Sequence, residues 1–271
     1  MNDKEIFERL NCHYMDALKI IPENNFIGIF LQGSQNYNLT TENSDVDSKV
    51  VLTPTWESLC FNTHPISTTH IRKNDEHIDL KDIRLMFTTF RKQNINFIEI
   101  LFTKYKILNP KYADAWNMLI NFNEEIARYN PKVALKAMKG MALEKYHALQ
   151  HEYPNKVEIL KQYGYDPKQL HHLVRLEEFA ERYIQGEKYK NCLVSKKTEE
   201  LIGIKMGKYS LTEAIELADE TLNRLTQMVD KYLATAPDEI NNQVDNILNI
   251  IQEDIMKISI IDELNINKNP N

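Results

Sequence analysis

The stretch Phe30-Leu-Gln-Gly33-Ser34-Gln-Asn-Tyr37-Asn-Leu39-Thr-Thr-Glu-Asn-Ser44-Asp45-Val-Asp47 sets an apolar run, a Gly-Ser turn and a polar loop in front of Asp-Val-Asp. Phe26 to Leu31 is short, apolar and β-rich, which predicts a buried strand that stops near a glycine. Asp45 and Asp47 are two apart. If Asp45 to Leu52 is the next strand, its period of two puts both carboxylates on one face. Two acids side by side repel unless a cation sits between them. That setting suits Mg²⁺, which takes one or two carboxylates and keeps positions for phosphate oxygens. Taken alone, a Gly-Ser turn is common and a Ser-Asp-x-Asp loop is more often a solvated turn than a metal site. The combination is the specific signal.

A strand, a Gly-Ser turn, a loop of about ten residues and Asp-x-Asp on a following strand resembles the signature of the DNA polymerase β-type nucleotidyltransferases, by a motif match whose meaning depends on that structural context. The variant here, with Gly33, Ser34, Tyr37 and Leu39 followed by Ser44, Asp45 and Asp47, looks like the RNA-repair-associated group within that superfamily. The chain departs from the pattern at Ser48, where the family generally has an apolar residue, and Lys49 follows. The face of this strand is therefore less regular than the pattern predicts.

At 271 residues the chain is long enough for one large or two small domains. Its net charge of −6 argues against a general nucleic-acid coat protein, although it leaves room for a local basic groove. Residues 236–271 hold seven Asp or Glu and two Lys, so the remainder is near neutral. The three cysteines, Cys12, Cys60 and Cys192, are far apart and lack Cys-x-x-Cys spacing, which disfavours a disulfide framework or zinc ribbon. Met1 to Glu5 carry no secretory pattern and no apolar run approaches the length of a membrane span. The expected setting is the cytoplasm, without membrane association.

Along the chain, Glu5 to Ile21 places Ile6, Phe7, Leu10, Tyr14, Leu18 and Ile21 on one side of a helix that ends before Pro22. Residues 55–74 read as an irregular connection. Ile78-Asp79-Leu80 has the apolar-acid-apolar form of a short strand presenting one carboxylate. Asp79 is the choice for a third acid, with Asp75, Glu76 and Asp82 as rivals and a helix cap as its ordinary structural role. Asp82 suits the start of the next helix as a favourable N-terminal charge. The family resemblance favours Asp79, because a similar Asp there precedes a helix and an Asn-rich stretch leading to Glu-x-Leu, present here as Asn94 to Leu101.

Asn109-Pro110 is a break. The expected division is a catalytic domain at 1–109, a helical domain at 110–235 and a C-terminal helix and tail at 236–271. Helices are predicted at 112–129, 131–152, 157–163, 167–185 and 211–234, with Pro131 and Pro167 in first turns and Ser210 to Glu213 as a capping box. The segment 239–263 carries an apolar stripe, so it packs on the bundle or on a second subunit, leaving a dimer open. Lys168, His172 and Arg175 share a helix face, at spacings of four and three. They are either a solvated basic face, with Arg175 paired to Glu178, or phosphate ligands; the family, where a Lys with a downstream His and Arg-Leu recurs, implies the second. Glu144, His147 and His151 have metal-ligand spacing but no fourth ligand, which favours a surface feature over zinc. Lys132, Lys136 and Lys139 form either an RNA-facing stripe or a solvated face.

The resemblance implies an α+β chain: a polymerase β-like nucleotidyltransferase core, a small mixed sheet with helices, followed by an all-helical domain. It implies transfer of a nucleoside monophosphate from an NTP to an acceptor hydroxyl, an RNA end such as that of tRNA being the first choice. Asp45, Asp47 and Asp79 would bind two Mg²⁺ (or Mn²⁺) ions. Gly33 and Ser34 would hold the β- and γ-phosphates, with Lys168, His172 and Arg175 as further phosphate ligands. The alternatives are nucleotidylation of a protein or small molecule, and a non-catalytic module that binds nucleotide or RNA.

Overall fold

In the computed structural model, which describes residues 1–41, 44–238 and 240–268, the chain divides into two units. Met1–Asn36, Glu42–Tyr129 and Ile240–Asn271 make the first; Tyr37–Thr41 and Asn130–Glu239 make the second. The first is built on a mixed sheet of β1 (Phe26–Gln32), β2 (Asp47–Leu52), β3 (Ser67–Ile71), β4 (His77–Asp82) and β5 (Lys106–Leu108), in the order β3-β4-β2-β1-β5. Among the described residues only the β2–β4 pair is parallel. β1 is apolar without alternation because it is covered on both faces.

Helix α1 (Asp3–Ala17) starts at a reciprocal capping box between Asn2 and Glu5. Its Ile6, Leu10 and Ala17 pack on Ile29, Leu31, Val50, Leu52, Ile78 and Leu80, the core of one sheet face. Each of these Ile, Leu and Val side chains, fully buried, contributes roughly 1.5–3 kcal/mol. On the opposite face Phe30 stacks on Trp116, with ring centroids 4.4 Å apart. The remaining helices of this unit are α2 (Trp56–Cys60), α3 (Ile83–Arg91), α4 (Ile95–Ile98), α5 (Ala113–Asn121) and α6 (Asn123–Ala127), with α13 (Asn242–Lys268) returning from the end of the chain. α13 buries Val244, Leu248, Ile251 and Ile255, and is tied to the sheet unit by Arg91–Asp245 (2.7 Å), Lys111–Asp262 and Ser259–Thr53 (2.7 Å). The apolar stripe of the tail therefore finds its cover on the first unit instead of on the bundle.

The second unit is helical: α7 (Pro131–Ala148), α8 (Val157–Tyr163), α9 (Pro167–Ile184), α10 (Tyr189–Leu193), α11 (Thr198–Lys205) and α12 (Leu211–Thr235). Pro131 and Pro167 open their helices and Ser210 with Glu213 forms the capping box of α12, as the sequence predicts. α9 is the hub, packed by α7, α10, α11 and α12, with thirteen of its eighteen residues buried, so its charges need partners inside the bundle. Glu178 accepts from Arg182, Ser195 and the Lys196 N–H, and Glu177 pairs with Arg224. Among the described residues no helix is long and apolar enough to cross a membrane. A mixed sheet with helices followed by a helical region is the α+β architecture expected.

Candidate functional site

β1 ends where Gly33 takes φ +99°, a conformation that side chains other than glycine's disfavour. Ser34–Tyr37 then forms a 3₁₀ turn, and Asn36 fastens it: its N–H donates to the Gly33 carbonyl (3.0 Å), its side chain to the Leu31 carbonyl (3.0 Å). Gln35 reaches across to the Asp45 carbonyl (2.6 Å). The Gly-Ser turn and the acidic segment are thus joined directly.

The second strand begins at Asp47 and not at Asp45. β1 turns away after Gln32, the residue paired with Asp47, and the Asp45 carbonyl takes the Gln35 amide instead of a ladder partner. Asp45 is exposed just ahead of the strand, Val46 is buried in the core, and Asp47 is half-buried. One Asp47 oxygen accepts from the His77 N–H (2.9 Å) and from His77 Nδ1 (3.1 Å). Lys49, two residues on and therefore on the same face, lies directly opposite Asp79 of β4. Asp47 and Asp79 share that face.

Asp79 Oδ2 accepts from Lys49 Nζ (3.0 Å) and Gln32 Nε2 (3.3 Å), and Oδ1 from Thr69 Oγ1 (2.6 Å). Burial alone would raise its pKa, but the Lys49 charge and these hydrogen bonds outweigh it and hold the carboxyl below its ordinary value. The Lys49 side chain is 3% exposed and its ammonium sits 4.1 Å from the centre of the Phe97 ring. Burial pulls Lys49 down against the opposing pull of Asp79. Asp47 keeps one oxygen without a hydrogen bond from His77 and Asp45 is exposed, whereas both Asp79 oxygens already have donors. Among the described residues no group of three or more His, Cys, Asp or Glu is arranged around a common metal position.

The rival acids have other roles. Asp75 stands exposed in a turn at φ 62°, and Asp82 caps α3, accepting from the Arg84 N–H (2.8 Å) and pairing with its guanidinium (2.7 Å). Asp79 itself lies within a strand and caps no helix. Glu76 is fully buried, on the face opposite Asp79. It accepts from Arg9, His13 Nε2 (3.0 Å), Arg72 (2.8 Å), Asn74 (2.7 Å) and the Val46 N–H (3.0 Å). Burial would raise its pKa, yet the bonds from His13, Asn74 and Val46 and the charge of Arg9 bring it to about 2. His13 passes the network on to Ser48 Oγ (2.9 Å), and burial holds it neutral, below the usual imidazole range. Through Val46, between the two aspartates, Glu76 fixes the segment that presents them. Lys49, Gln32 and Thr69 are the residues the sequence does not single out for the site, and Glu76, a rival for the third acid, takes a supporting place instead. A charged residue at 49 inside the apolar strand Val50-Val51-Leu52 is the one signal that pointed there.

In the helical unit, Lys168 is exposed in the first turn of α9, and Arg175, 6% exposed, lies with its guanidinium 4.0 Å from the centre of the Tyr37 ring. Tyr37 and Leu39, the apolar members of the motif, belong to this unit and are buried in it. His172 is held well below the ordinary imidazole range by close packing and by Arg175, so it offers a neutral ring and not a third positive charge. Glu178 is engaged by Arg182, Ser195 and Lys196. α7 ends at Ala148, so His151 lies beyond the helix and the His147/His151 spacing is not a helical pair. Lys132 pairs with Asp238 (2.9 Å) and Lys139 with Asp230 (2.7 Å), so two of the three lysines of the expected stripe face acids of their own unit.

No protein-family model and no curated protein matches the chain. Among solved structures, it is similar to a nucleotidyltransferase-like protein from Exiguobacterium sibiricum 255-15, with 10% identity, 83% of this chain and 75% of that chain covered, and a TM-score of 0.31. A likeness this weak carries no functional conclusion. The acid face and the segment before it hold an exposed Asp45 tethered through its carbonyl to the glycine turn, an Asp47 bonded to His77, and a third carboxylate, Asp79, paired with a lysine.

Proposed function

We propose that the chain is a nucleotidyltransferase, moving a nucleoside monophosphate from an NTP to an acceptor hydroxyl, an RNA end such as that of tRNA. The observation that carries this reading is the joint placement of Asp47 and Asp79 on one sheet face, next to the Gly33 turn that Gln35 ties to Asp45. In the reaction the acceptor oxygen bonds to the α-phosphorus, the bond from that phosphorus to the β-bridging oxygen breaks, and pyrophosphate leaves. Mg²⁺ or Mn²⁺ at Asp45 and Asp47 would supply positive charge to the phosphate oxygens. The backbone N–H groups of the turn and the Ser34 hydroxyl would bind the β- and γ-phosphates, glycine at 33 allowing the close approach. Within the second unit, Lys168 and Arg175 bring charge, and His172 a neutral donor, a set suited by itself to phosphate.

Asp79, with its pKa lowered, is a weak base near neutrality, so its role is to orient the acceptor hydroxyl while the proton leaves to solvent. The test is incubation of the protein with each α-labelled NTP, Mg²⁺ and total RNA or protein extract, beside an Asp45→Ala/Asp47→Ala double variant. Label in RNA with wild type, reduced more than about a hundredfold in the variant, is the expected result. Label confined to protein would move the acceptor to a polypeptide. NTP binding without any label would leave a non-catalytic module.

A further inference from the structure

Asp79 comes with its own cation. Lys49 stands two residues along β2 from Asp47 and directly across from Asp79, so on this sheet face it is the neighbour of both carboxylates. Its ammonium is held by Asp79 Oδ2 at 3.0 Å and by the Phe97 ring at 4.1 Å, and only 3% of the side chain is exposed. Its neighbours along the strand, Val50, Val51 and Leu52, are the residues such a buried position ordinarily takes. Lysine at this place gives up that apolar packing for a charge. Gln32 and Thr69 satisfy the rest of Asp79, so each oxygen of that carboxylate already accepts at least one hydrogen bond.

We infer that Lys49 is a resident counter-ion that stands in for a second divalent cation, so that the acid face takes one metal ion, at Asp45 and Asp47. This rests on the nucleotidyl-transfer reading and deepens it. Negative charge left on the acceptor oxygen beside Asp79 meets the Lys49 ammonium, a fixed singly charged group, in place of a second metal. A divalent ion at Asp79 would have to displace that ammonium or sit against it with like charge.

The test counts Mn²⁺ bound to the nucleotide-free protein, from the loss of the free-ion electron paramagnetic resonance signal during titration into the millimolar range. One equivalent is expected for wild type and for Lys49→Arg, and two for Lys49→Met. Adding Asp79→Asn to Lys49→Met should return the count to one. Two equivalents in wild type would overturn the inference and leave nucleotidyl transfer standing, a result that depends on no variant folding. A folded Lys49→Met that still binds one ion would overturn the role given to Lys49. No Mn²⁺ bound by any of these proteins would overturn the inference and the metal-dependent reading with it.

Discussion

Glu76 and Asp79 lie three residues apart in the same chain segment, yet they face opposite sides of the sheet and have opposite fates. Glu76 is sealed in the core beneath α1 with five donors around it, two of them from arginines. Asp79 keeps 29% of its side chain open and has one lysine and two neutral donors. The sealed acid secures the fold and, through the Val46 N–H, the posture of the acidic segment. The open one is available to a substrate. Burial with full hydrogen bonding marks the structural carboxylate, and partial burial with one charged partner marks the candidate site.

The largest effect expected from this contrast is on stability. Glu76→Gln removes the buried counter-charge of Arg9 and leaves Arg72 with Asp16 alone, and should cost about 3 kcal/mol, read from urea unfolding. A loss below 1 kcal/mol would mean that the network does not anchor the unit. The acid limb of stability should follow from the same group. Its folded pKa of about 2 lies below the ordinary 4.5, so its contribution, roughly 3 kcal/mol, is present above pH 4.5 and is lost as the pH falls towards 2. His13, also lowered, adds to the loss in the same direction once the pH drops below its ordinary 6.5. Melting curves between pH 7 and 2 should show this limb in wild type and a flatter one in Glu76→Gln.

Asp79→Asn should be milder, about 1–2 kcal/mol, because the Asp79 side chain is itself partly exposed and the buried Lys49 retains Phe97. Nucleotidyl transfer should nevertheless fall by more than about a hundredfold. Equal stability losses in Glu76→Gln and Asp79→Asn would erase the distinction between the two acids. The smallest effect belongs to Gly33→Ala, about 1 kcal/mol of strain at a φ of +99°, with weaker NTP binding measured by calorimetry as its companion.

How far the sequence was legible follows the same physics. β1, the Gly33 turn, β4 and α1 are readable because apolar spacing and a turn glycine are local signals. β3 was read as irregular because every one of its residues is exposed, which leaves no alternation to detect. β5 is three half-buried residues long. The stripe on α13 announces a buried face without saying what covers it. Glu76 shares the strand parity of Ile78 and so belongs to the core face, but Arg9 and His13, 67 and 63 residues away, become its partners only through the fold. His172 looks cationic in sequence and is neutral because of its packing. Lys49, read as an irregularity of the strand, is the residue that gives the acid face its particular charge balance.

The most direct test of the acid face as a nucleotidyl-transfer site compares the same NTP labelled at the α- or at the γ-phosphate, incubated with the protein, Mg²⁺ and RNA. The account predicts that α-label enters RNA while γ-label appears only in released pyrophosphate, and that Asp47→Asn abolishes both. Transfer of the γ-label to any acceptor, or release of γ-label as orthophosphate without α-label transfer, would contradict it.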